Sequence, residues 1–170
     1  MHNQVFQLVS PSNMALLSLL AVLLGLMAIL WLLLHKPLPR IAKMISMSLV
    51  SVVALVFLWV GGRSLDADIE VNLSAVSVNI PLYGRDIART DILPAGVRQL
   101  NLADEPEFAM KIRRNGFGLP QFQLGWFALE NGRQALVFIT DPNNLVLIPT
   151  KNNYMVIVSS DDPQGLVSAF

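Results

Sequence analysis

Apolar residues run without a charge from Met14 to Leu34, and again from Met44 to Val60. The first run is 21 residues long and holds one hydroxyl, Ser18. The second is 17 residues, or 20 when begun at Ile41, which takes in Lys43 near its start. A helix rises about 1.5 Å per residue, so 20 residues span about 30 Å, the hydrocarbon thickness of a bilayer. The pattern predicts two transmembrane helices, 14–34 and 41–60, forming a hairpin over 14–62. A short tail, 1–13, precedes it, and a soluble domain, 63–170, follows.

Beyond the second run the period changes from helical to strand-like. Val71 to Ile80 alternates apolar and polar residues and reads as one strand ended by Pro81. Gln121–Leu129, Gln134–Thr140, Leu145–Thr150 and Tyr154–Ser159 are short β-rich runs. Asn131-Gly132, Asp141 to Asn144 and Lys151 to Asn153 separate them with turn formers. Asn-Gly tolerates the positive φ of a tight hairpin. Sequential hairpins predict a meander that must close or stack to bury its apolar face. Ser160-Asp161-Asp162-Pro163 then opens a short C-terminal helix, with Asp161 as its cap and Leu166, Val167 and Phe170 as its buried face.

Charge decides orientation. The link His35–Lys43 carries Lys36, Arg40 and Lys43, whereas Met1–Asn13 has no Lys or Arg. Short basic loops stay in the cytoplasm, so the 35–43 loop is expected inside and both ends outside. The apolar core of the first run is too long, and its leading segment too poor in cations, for a cleaved signal peptide. An uncleaved helix is expected.

The soluble domain has nine cationic and 12 acidic residues, a net charge of −3. Nucleic-acid binding needs a basic face, so no nucleic-acid partner is expected. Both histidines, His2 and His35, lie outside this domain, and the chain has no cysteine. Ser-His-Asp and thiol catalysis and His or Cys metal sites are therefore excluded there. Neither a cofactor nor a resident metal is expected. Asp66, Asp68 and Glu70, and Asp104, Glu105 and Glu107, form acidic clusters that read as solvated segments.

Three sets of residues stand out as contacts. Ser18, Ala21, Gly25 and Ala28 make a stripe of small side chains on the first helix, of the kind that lets helix backbones approach in lipid. Met44, Ser48, Ser51, Leu55 and Leu58 make a second stripe on the other helix. They read as a tight hairpin or a self-association face, or as ordinary membrane-helix composition. Lys111, Arg113 and Arg114 are adjacent cations on a strand. Lys111 and Arg113 would point one way, to hold a phosphate or carboxylate, or the trio would guard a sheet edge. Trp126 and Phe127 are neighbours that face opposite sides of a strand, so one is core and the other meets the helix, a second subunit or solvent.

A string of short motifs runs through the domain: Arg113-Arg114-Asn115-Gly116, Gly118-Leu119-Pro120, Gly125-Trp126-Phe127, Asn131-Gly132, Thr140-Asp141, Ile148-Pro149-Thr150 and Ser160 to Pro163. Their order and spacing, over roughly Val76 to Phe170, resemble the bacterial pleckstrin-homology (PH-like) domain family. The resemblance implies a strongly bent, seven-stranded sandwich or barrel closed at one end by the C-terminal helix. It implies no enzymatic activity, and self-association beside membrane helices. The fold class expected is thus two transmembrane helices followed by a mainly β PH-like barrel or sandwich with a C-terminal helix. The expected function is a non-enzymatic, membrane-anchored binding or assembly module. It would sit in the bacterial cytoplasmic (inner) membrane, with its soluble domain periplasmic, as a homo-oligomer or docked on another membrane protein. The alternatives are a lipid-headgroup or small-ligand binder using Lys111 and Arg113, and an oligomeric pore component lined by Ser46, Ser48 or Ser51.

Overall fold

The computed structural model describes residues 4–170. Strand β1 (Gln4–Gln7) precedes two long helices, α1 (Asn13–His35) and α2 (Arg40–Arg63). Then come β2 (Asp68–Val71), β3 (Ala75–Asn79), β4 (Arg85–Ala88) and β5 (Arg98–Leu100). They are followed by β6 (Met110–Leu119), β7 (Phe122–Leu129), β8 (Gln134–Ile139), β9 (Leu145–Pro149), β10 (Tyr154–Ser159) and α3 (Pro163–Ser168).

Ser12 starts α1, its hydroxyl accepting from the Ala15 N–H at 3.2 Å. The prolines of Lys36-Pro37-Leu38-Pro39 separate the helices, and Lys43 Nζ donates to the Leu34 carbonyl at 2.5 Å, occupying an acceptor that the end of α1 leaves free. Both helices are long and apolar enough to cross a membrane, and almost nothing of either is buried within the chain.

The contact between α1 and α2 differs from the expected one. The half-buried positions of α1 are Ser18, Leu19, Val22, Leu23, Leu26, Leu30 and Leu33, a face spaced at threes and fours. Ala21, Gly25 and Ala28 are exposed, and a Cβ added at Gly25 meets nothing within 4 Å. Of the small stripe, Ala21, Gly25 and Ala28 therefore face away from α2, and the stripe does not make a tight hairpin. On α2, Met44, Ser48, Leu55 and Leu58 are likewise exposed, and only Ser51 of that stripe is half-buried. Close approach occurs instead at Gly61, where a Cβ would lie 2.5 Å from Leu19 Cδ2.

Two sheets form a sandwich. One has the order β1-β2-β3-β4, the other β5-β9-β10-β8-β7-β6. The stretch before α1, read from the sequence as a tail, thus supplies an edge strand, with Val5 opposite Glu70 and Phe6 opposite Ile69. It is tied further by Leu8 N–H to the Ala67 carbonyl (3.0 Å), Val9 N–H to the Ser159 carbonyl (2.9 Å) and Thr140 Oγ1 to the Val9 carbonyl (2.5 Å). Residues 1–3 of that tail, His2 included, lie outside the described residues.

Val71–Ile80 is two strands, because Asn72-Leu73-Ser74 turns the chain and pairs β2 with β3. The later strands are not a plain meander. β7–β8 and β9–β10 are antiparallel hairpins, but β10 lies parallel to β8. The core between the sheets joins Ile69, Val76, Val78 and Ile87 to Leu124, Leu136, Phe138, Val156 and Val158, with Leu166 of α3 beneath. A second core covers the outer face of the larger sheet: Phe127, Val137, Met155 and Ile157 under Leu102, Phe108 and Met110. Burial on both faces explains why β8, β9 and β10 read as continuous apolar runs. Asp162, not Asp161, caps α3, accepting from the Gly165 N–H at 2.9 Å.

Candidate functional site

The sandwich opens along β4, the edge of the smaller sheet. A cavity of about 860 Å³ lies there, between β4 and the turns that lead into β8 and β10. Alternation along β4 sends Ile87 into the core and leaves Arg85, two residues earlier on the same face, at the mouth. Trp126 of β7 and Tyr154 of β10 form the floor, their rings edge to face with centroids 5.3 Å apart. The Arg85 guanidinium lies 5.3 Å from the Trp126 centroid and 5.6 Å from that of Tyr154. Arg133 and Asn153 stand on the opposite wall, with Asp86 and Asp91 at the rim; Asp91 accepts from Asn152 at 3.0 Å.

A guanidinium over aromatic rings keeps its in-plane N–H donors free, and that planar fork matches a carboxylate or phosphate. Among the described residues, the ion pairs are Arg98–Glu105 and Lys111–Glu130, so neither Arg85 nor Arg133 is spent on an acidic partner. The rings hold Arg85 in place before any ligand arrives, which lowers the ordering cost of binding. Above this mouth, the Tyr83 hydroxyl donates to Asn115 Oδ1 at 3.0 Å, linking the approach to β4 with β6. Burial pushes the Tyr83 hydroxyl pKa up, so it remains a neutral donor.

The cations singled out in the sequence do not converge. β6 is the edge of the larger sheet and carries two bulges, between Met110 and Ile112 and between Arg113 and Asn115. Lys111 and Arg114 are the extra residues, so the regular alternation expected for Lys111, Arg113 and Arg114 is broken. Lys111 pairs with Glu130 at 3.0 Å, while the Arg113 guanidinium folds along the strand to Gly118. Bulges and charge are the ordinary protection of an exposed edge.

Trp126 and Phe127 do face opposite sides, but each finds its contact within the chain. Phe127 is 5% exposed, in the outer core beneath the 101–110 segment, and Trp126 floors the mouth. The acidic clusters are also engaged locally. Asp68 accepts from Asn79 at 2.6 Å, Asp104 from Asn101 at 2.6 Å, and Glu105 from Arg98. Asp66 lies in a 3-10 turn and does not share the strand face of Asp68 and Glu70. Sequence reasoning missed Arg85 and Arg133. The available signal was an Arg at the head of an alternating strand, two residues before a core isoleucine.

Two sheets packed face to face with a C-terminal helix on their core define a fold of the PH-like class. The family model for the bacterial PH domain matches residues 68–170, and the chain belongs to that family. No curated protein and no solved structure matches the chain.

Proposed function

We propose that this protein is a non-enzymatic binding module anchored in the cytoplasmic membrane by α1 and α2, with its PH-like domain on the outer face. The mouth beside β4 takes an extended acidic segment of a protein at the same membrane surface. The observation that carries this reading is Arg85, seated on Trp126 and Tyr154 with its donors open to the cavity. β4 adds a free backbone edge along the same wall, so a segment entering there extends the sheet while a carboxylate meets Arg85. The basic link, Lys36, Arg40 and Lys43, supports the orientation. Assembly into a homo-oligomer runs through the outward stripe Ala21, Gly25 and Ala28, which α2 leaves uncovered.

The test uses the full chain in detergent with Trp31 and Trp59 replaced by Phe, so that emission reports Trp126 alone. Titration with a hexaglutamate peptide is expected to change that emission saturably. Arg85→Ala should abolish the change and Arg113→Ala should leave it intact. An Arg85→Ala titration that matches the parent would sink the assignment. Reporter fusions after Phe170 test the orientation: alkaline phosphatase activity is expected, and cytoplasmic fluorescence of a fused green fluorescent protein would reverse it.

A further inference from the structure

Two turns from different sheets reach the level of the apolar helices. The β6–β7 tip is held against α1 by Ser12 Oγ, which donates to Gln121 Oε1 at 2.9 Å. Phe117 and Leu119 of this hairpin line a narrow apolar seam with Leu16 and Leu19 of α1 and with Phe57 of α2. Leu19 lies six residues into α1, about 9 Å along its axis. The tip therefore descends beside the first turns of α1 and the last turns of α2 rather than resting above their ends.

The β3–β4 turn descends on the other side. Leu82 stands in a groove with Trp59 and Arg63 of α2. The Tyr83 N–H bonds the Pro81 carbonyl at 2.8 Å, closing a three-residue turn with Leu82 at its centre and φ at 62°. A leucine in that conformation is strained, by about 1–3 kcal/mol. In water such a strained turn would favour glycine, yet a large apolar side chain is presented there, 54% exposed beside a half-exposed Trp59.

We propose, on the membrane-anchored reading above, that the Leu82 turn and the β6–β7 tip form a collar inserted into the interfacial layer of the leaflet on the domain's side. Its partner is phospholipid. Depth is bounded from both directions. The contact of the tip with Leu19 and Phe57 carries it below the aqueous surface. The unpaired edge of β6 stops it short of hydrocarbon, where free backbone groups have no hydrogen-bond partner. Trp59 marks the same layer, in which tryptophan is enriched. Arg63 shares that groove with Asp66 and Asp68, so its lining carries no net positive charge; insertion is driven by apolar side chains and proceeds in neutral lipid.

The chain has no cysteine, so single-cysteine spin labels report cleanly. Labels are placed at Leu24, Leu73, Leu82 and Pro120 of the full chain in phosphatidylcholine nanodiscs. Accessibility to oxygen and to a water-soluble nickel chelate is then measured. Leu73 is the control: a leucine 82% exposed on the β2–β3 turn, at the opposite end of β3 from Leu82. Position 24 is expected in hydrocarbon, positions 82 and 120 in the interface, and position 73 in water. If 82 and 120 match 73 while 24 remains in hydrocarbon, the collar is refuted and the anchor stands. If 24 is open to the nickel chelate, the anchor fails and the collar with it. Pro120 decides the matter alone if the label at Leu82 disturbs its turn.

Discussion

The ring of Phe117, on the β6–β7 hairpin, meets the ring of Phe57, in the second long apolar helix, edge to face with centroids 5.2 Å apart and planes at 85°. This pair joins the edge strand of the larger sheet to a long apolar helix. Such pairs contribute about 0.5–1.5 kcal/mol beyond the area they bury. A double-mutant cycle on Phe57→Ala and Phe117→Ala, read by urea unfolding in detergent, should show a coupling of that size. Independent effects of the two substitutions would mean that the hairpin and helix are not in contact in solution.

Two glycines in the helices should behave oppositely. A side chain at Gly61 runs into Leu19, whereas one at Gly25 meets open space. Gly61→Leu should force α1 and α2 apart and reduce disulfide cross-linking between cysteines introduced on their facing sides. Gly25→Leu should leave that intramolecular cross-link unchanged and shift sedimentation in detergent toward monomer. A wild type that sediments as monomer across micromolar concentrations removes the self-assembly proposal.

The crossing of β6 and β7 depends on two facing glycines. Gly116 and Gly125 have φ of 148° and 121°, and a Cβ on either would collide with the backbone of the other strand. Gly125→Ala adds strain of about 1–3 kcal/mol on the conformation alone. The urea midpoint should fall accordingly, and amide exchange should quicken first at Asn115 and Phe117.

Arg98 clamps the covering segment of the outer core. Its guanidinium bonds both carboxylate oxygens of Glu105 and lies 5.5 Å from the Phe108 ring. The hydrogen bond from Arg98 holds the Glu105 carboxyl below the usual glutamate range. A carboxyl depressed by folding stabilises the fold fully above its unfolded pKa, and that contribution is lost as pH falls through the folded value. Exchange at the Phe108 and Ala109 amides should therefore accelerate on acidification below the ordinary glutamate pKa, after correction for intrinsic rates. Glu105→Gln should flatten that dependence.

The legible parts of this fold were those written in local pattern. Two uncharged runs gave α1 and α2 within one to three residues of their ends. The strands flanking Asn131-Gly132 and Lys151 to Asn153 fell where turn chemistry placed them. What escaped was long-range or hidden by alternation. Gln4–Gln7 is four residues, too few to show a period, and its partner β2 lies beyond both helices. Asn72 and Ser74 were read as the polar half of an alternating strand, although both are turn formers. The bulges at Lys111 and Arg114 leave no periodic trace, so a cation cluster that looked like a site spreads over an edge. Arg85 needed two aromatics from β7 and β10 to acquire meaning, and no spacing along the chain brings those three together.

The chain leaves the domain through β1 and re-enters it through β2, and these strands are neighbours in one sheet. A globule on a single flexible linker swings like a pendulum and searches a hemisphere as wide as its cord. This one hangs from two short cords fastened side by side, with Val9 and Ser12 each gripped within a few residues of the helix. Its radius of search is its own height above the helices. Any tilt of the pair is passed to the sheets without slack. On the proposed reading of the Arg85 mouth, its partner would have to come to it, because the tether leaves the domain no length of cord with which to fish at a distance.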